Sequence, residues 1–101
     1  MFSGGTYDDV ARWLRVFLIS HAKREHPRLE VVLDDDDALQ GRAYRARLRF
    51  GENLSEPIEL DYKDVADQRG TLTWCTALAA RTRTLARSLL RAGSTGDARA
   101  R

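Results

Sequence analysis

Between Arg42 and Phe50 the chain reads R-A-Y-R-A-R-L-R-F, and from Tyr44 onward apolar and basic residues alternate without a break. A period of two fits a β-strand and no helix, because successive strand side chains point to opposite faces. Arg45, Arg47 and Arg49 share one face, and Tyr44, Ala46, Leu48 and Phe50 share the other. The flanking segments alternate in the same way but carry acids, Glu30 and Asp34 before the arginine strand and Glu59 and Asp61 after it. A basic strand between two acidic ones predicts a three-stranded antiparallel meander with the arginine strand in the centre. Opposite charges then lie side by side, each exposed pair worth about 0.2–1 kcal/mol. One apolar face per strand predicts a sheet covered on one side only.

The cover comes from helices. Thr6 followed by Asp9 resembles a capping box, and Val10, Leu14, Phe17, Leu18 and His21 then recur at helical spacing. A first helix is expected over residues 7–25, stopped ahead of Pro27. Residues 63–70 read as a polar linker ending in Gly70. Thr71 is a suitable N-cap for a second helix running to about Ala92, with Gly93 closing it. Its inward stripe is Cys75, Leu78, Thr82, Leu85, Ala86 and Leu89. The expectation is one α+β domain over residues 1–93, in the order α-β-β-β-α, with two roughly parallel helices on one face. A flexible basic tail is expected over residues 94–101.

This order is similar to that of the double-stranded RNA-binding domain, which packs two roughly parallel helices on one face of a three-stranded sheet. The likeness is one of topology. It implies RNA contacts through the first helix, the loop between the first two strands and the opening of the second helix. In this chain that loop is Asp34, Asp35, Asp36 and Asp37, and the approach to the second helix carries Asp64 and Asp67. Acids at those places repel a phosphate backbone, so the likeness carries the fold expectation and not the activity.

Chemistry-bearing residues are few. At 101 residues the chain holds one modest core. Its single cysteine, Cys75, excludes an internal disulfide framework and a Cys-rich zinc site. His21 and His26 straddle the end of a helix at a poor ligand spacing. The Asp34–Asp37 run lacks the spacing of a calcium loop and reads as a solvated hairpin loop with weak attraction for cations. No glycine-rich phosphate loop or nucleophile elbow occurs. No enzyme activity, metal or cofactor is expected. The N-terminus lacks the basic and apolar regions of a secretory signal, and the longest apolar run, Val16 to Ile19, is too short to span a bilayer, which predicts no membrane insertion and a cytoplasmic location.

Two surface features remain. The net charge is only +2, yet residues 29–68 are strongly acidic and residues 69–101 strongly basic. Arg83, Arg87 and Arg91, four residues apart, form with Arg99 and Arg101 a candidate anion- or nucleic-acid-binding stripe. The plainer reading is a solvated helix face completing the helix dipole. On the first helix, Trp13, Val16 and Ile19 lie beside Arg12, Arg15 and Lys23 as a candidate partner-binding patch. The expected function is a non-enzymatic protein-interaction domain, an adaptor, chaperone-like or regulatory unit, with self-association through the first helix as one form of it. The alternative is a nucleic-acid-binding module using the basic C-terminal helix and tail.

Overall fold

A computed structural model describes residues 6–99, with side-chain surroundings through residue 92. Helix α1 spans Tyr7–Glu25 and is followed by strand β1, Glu30–Leu33. A short 3-10 turn at Asp37–Leu39 leads into the long strand β2, Ala43–Phe50. Strand β3 is Asn53–Leu54 and strand β4 is Ile58–Asp61. Helix α2, Tyr62–Gln68, precedes helix α3, Leu72–Arg99. Thr6 caps α1 as its position predicts, its Oγ1 accepting from the Asp9 amide at 3.1 Å.

The arginine strand is central, as its charge pattern requires. β2 pairs antiparallel with β1 on one side and with β3 and β4 on the other. A mixed α+β fold built on an antiparallel meander packed by helices is therefore correct. The two-helix, three-strand pattern of double-stranded RNA-binding domains is not, because the described residues form three helices and four strands.

Both departures have local causes. Residues 63–70 were expected as linker, but Tyr62, Val65 and Ala66 fall on one helical face and Val65 is completely buried. Asp61 occupies the N-cap position and Asp64 the first turn, where acid suits the helix dipole. The third strand splits because a bulge interrupts it. Between the Arg49–Leu54 and Ala46–Ile58 pairs, Arg47 and Leu48 of β2 face Ser55, Glu56 and Pro57. Ser55 repairs the break. Its amide donates to the Leu48 carbonyl at 2.9 Å, while its Oγ accepts from the Leu48 amide at 2.9 Å and donates to the Glu56 carbonyl at 2.8 Å. Gly51, at φ 64°, opens the two-residue turn from β2 to β3, a conformation that disfavours residues with a Cβ.

The core lies between the helices and one sheet face. Val10, Leu14, Leu18 and Ala22 of α1 meet Val31, Tyr44, Ala46, Leu48 and Ile58 of the sheet and Leu78, Ala86 and Leu89 of α3. Thr82, fully buried in α3, satisfies its hydroxyl on the Leu78 carbonyl at 2.8 Å. α1 and α3 run in the same direction: Trp13 stacks near Trp74, and further along both helices Glu25 meets Arg87. α3 passes through Gly93, where it was expected to close, and continues to Arg99. An interior glycine costs a helix about 1 kcal/mol relative to alanine, which alone does not end it. Residues 100–101 of the expected tail lie outside the described residues.

Candidate interaction surface

The uncovered sheet face carries the arginines. Arg45 bridges both neighbouring strands, donating to Asp34 at 3.2 Å and to Glu59 at 3.1 Å. Those hydrogen bonds hold its guanidinium pKa above the ordinary value. Arg49 pairs with Glu30. Arg47 makes no ion pair with a described residue, because its β1 neighbour is Val32 and its other neighbour is the bulge. The face is thus neutralised at its two ends and keeps one uncompensated cation in the middle.

The candidate anion-binding stripe on α3 is divided. Arg87 donates to Glu25 of α1 at 3.1 Å. Arg83 is half-buried, and its Nε has no hydrogen-bond partner among the described residues. Arg91 is exposed. The Arg99 side chain and Arg101 lie outside the described residues. Sequence spacing set these arginines on one helical face but did not indicate that α1 packs along part of it.

Beside Arg83, an aromatic row fills the seam between α1 and α3. Trp13 stacks on Phe17 with centroids 5.0 Å apart, Phe17 lies 4.6 Å from the His21 ring, and Trp74 closes the row 6.4 Å from Trp13. His21 Nδ1 is buried without a hydrogen-bond partner among the described residues. Burial first, then the charges of Arg24 and Arg83, lower the His21 pKa below its ordinary value and keep the ring neutral near pH 7. Trp13, one of the candidate partner residues, is committed to this seam. A second aromatic group ties the start of α1 to the sheet. The Tyr44 hydroxyl donates to the Tyr7 carbonyl at 2.9 Å, and the Tyr7 hydroxyl donates to the Ala43 carbonyl at 2.6 Å.

The other two candidate residues lie on the far flank of α1. Val16 is 62% exposed. Ile19 is partly buried against the core and lines a groove of about 590 Å³ between α1 and β1. Arg15, Ile19 and Lys23 form the helical wall, and Leu29 to Leu33 form the strand wall. A larger groove of about 840 Å³ adjoins it at Lys23, Glu30 and Arg49. Several of its polar groups are already engaged: Lys23 Nζ donates to the Pro27 carbonyl at 2.7 Å, Arg49 holds Glu30, and His26 Nδ1 accepts from the Arg28 amide at 3.1 Å.

What sequence reasoning missed is the strand wall of the smaller groove. Among the described residues β1 pairs with β2 alone, so its other edge has no described strand beside it. The Asp34 amide donates to the Arg45 carbonyl at 2.9 Å, so even-numbered β1 residues bond towards β2. Val31 and Leu33 therefore direct N–H and C=O away from β2, and no described group bonds them. The opposite sheet edge is broken by Pro57 and the bulge, devices that discourage pairing. A meander order already makes the first strand an edge; the groove depends on where α1 sits over it.

No group of three or more His, Cys, Asp or Glu side chains able to hold a metal ion occurs among the described residues. No helix among them is long and apolar enough to cross a membrane. The Asp34–Asp37 run is put to local use instead. Asp34 binds Arg45, and Asp36 Oδ1 accepts from the Ala38 amide at 3.0 Å to cap the 3-10 turn. Comparison with known proteins finds no matching family model, no matching curated protein and no matching solved structure.

Proposed function

We propose that this chain is a non-enzymatic protein-interaction domain, an adaptor or regulatory unit, whose contact surface is the outer flank of α1 together with the free edge of β1. The observation that carries the reading is the groove between Arg15, Ile19 and Lys23 on the helix and Leu29 to Leu33 on the strand. It joins partly buried apolar side chains, an unpaired strand edge and cationic rims on one surface, beside the exposed Val16. Interfaces draw their affinity from apolar centres with polar rims, and this flank has that composition.

The nucleic-acid reading is less well supported. Arg87 is neutralised by Glu25 and Arg83 is tucked into the α1–α3 seam, so Arg91 is the one member of the described stripe that is exposed and makes no ion pair with a described residue.

Photocrosslinking in living cells tests the proposal. A photoreactive residue at Val16 or Arg15 is expected to trap a discrete partner, and one at the exposed Arg81 on α3 is not. A trapped species of twice the chain mass identifies self-association. Equal trapping from all three positions, or none from Val16 and Arg15, overturns the reading.

A further inference from the structure

We infer that the α1–β1 groove accepts an extended acidic segment of a partner protein, added to the free edge of β1 as a further strand. This rests on the interaction-domain reading and specifies its ligand. The main-chain part is set by register. Val31 and Leu33 offer two N–H and two C=O groups outward, unbonded by any described residue, which is the requirement for strand addition.

The side-chain part follows from helix geometry. Arg15, Ile19 and Lys23 are four residues apart along α1, a rise of about 6 Å per step. An added strand presents alternate side chains to the helix at steps of about 6.6–6.8 Å. The two repeats nearly match, so three alternate residues of the incoming segment meet Arg15, Ile19 and Lys23 in turn. The complementary pattern is acid, neutral or basic, apolar, neutral or basic, acid. Arg15 makes no ion pair with a described residue, and Lys23 meets only the Pro27 carbonyl, so both cations lack a carboxylate. The intervening residues of the segment point to the open face beside Glu30, Val32 and Asp34, where further acid is unfavourable and neutral or basic residues fit.

Charge also selects among occupants. A second copy paired edge to edge by a two-fold axis would run its α1 antiparallel to the first and set Arg15 against Lys23 of the other copy. That repulsion disfavours self-pairing, as charged edge residues generally do. The acidic segment of a different protein has no such conflict.

The test uses the whole chain and a fluorescent capped peptide whose centre reads aspartate, threonine, valine, threonine, glutamate, with fluorescence anisotropy as readout. Saturable binding is expected. Arg15→Glu weakens it roughly tenfold, and the Arg15→Glu/Lys23→Glu variant instead prefers a peptide with lysine at both acidic positions. Methylating the peptide amides that face β1 abolishes binding while leaving the protein untouched. Binding that survives this methylation overturns strand addition, as does failure of the acidic peptide to bind the native chain. If the peptide fails while Val16 and Arg15 still crosslink a partner, only the ligand assignment falls. If both fail, the interaction-domain reading falls with it.

Discussion

Tyr44 hydrogen-bonds through its hydroxyl to the main-chain carbonyl of Tyr7, and the two rings stack with centroids 4.7 Å apart. This contact joins the first turn of α1 to the start of β2 across 37 residues of sequence. It fixes the start of the helix over the sheet. Tyr44→Phe is expected to cost about 1 kcal/mol of stability in denaturant unfolding, the net value of one hydrogen bond. Burial, with the nearby Tyr7 and Tyr62, holds the Tyr44 phenol well above its usual value of 10.0. The unfolded chain ionises first, so stability is intact below pH 10 and falls as pH rises from there. Tyr44→Phe should flatten that alkaline loss.

His21 predicts the opposite dependence. Its pKa is lower in the folded state than the ordinary 6.5, chiefly through burial in the aromatic seam. Protonation therefore favours the unfolded chain. Stability is intact above about pH 6.5 and declines as pH falls through the window below it. The groups facing the ring are Phe17, Arg24 and Arg83. Acid unfolding of His21→Leu, followed by circular dichroism, should lack the part of the decline that starts near pH 6.5.

Ser55 tests the account of the bulge. Removing its hydroxyl leaves the Leu48 amide without its acceptor in a buried position. Ser55→Ala should cost about 1–3 kcal/mol, far more than a surface serine would. Ser55→Thr keeps the hydroxyl and should recover most of that loss. Equal stability of all three chains would remove Ser55 from the explanation.

The arginine stripe yields a different expectation. Arg87→Gln breaks an exposed ion pair with Glu25 and should change stability by less than about 1 kcal/mol. Duplex RNA titrated against the native chain at low salt should form no complex. A complex whose affinity falls steeply with salt, and weakens in Arg91→Gln, would favour the nucleic-acid alternative.

The alternation of β2 was fully legible because pairing and burial both follow a period of two: Tyr44, Ala46 and Leu48 are buried, and Arg45 and Arg49 find carboxylates on neighbouring strands. The N-terminus of α1 was legible because Thr6 acts on an amide three residues away. Helix α2 is masked in the sequence, because polar neighbours and Gly70 resemble a loop although Tyr62, Val65 and Ala66 carry a helical period. The split of the third strand turns on Ser55 replacing its own carbonyl as the acceptor for Leu48, which no local pattern announces. Trp13, Val16 and Ile19 were grouped by sequence, and the fold separates them, Trp13 into the seam and Ile19 into the groove. That separation depends on how α1 is rotated against α3 and β1, a tertiary fact that spacing along one helix does not contain.

The free edge of β1 is tested most directly by amide hydrogen exchange, read by NMR with and without the acidic peptide. The Val32 amide already faces β2 and should exchange at the same rate in both states. The Val31 and Leu33 amides face the groove and should slow markedly when the peptide is bound. Slowing at Val32 alone, or unchanged exchange at Val31 and Leu33 under saturating peptide, would contradict strand addition at this edge.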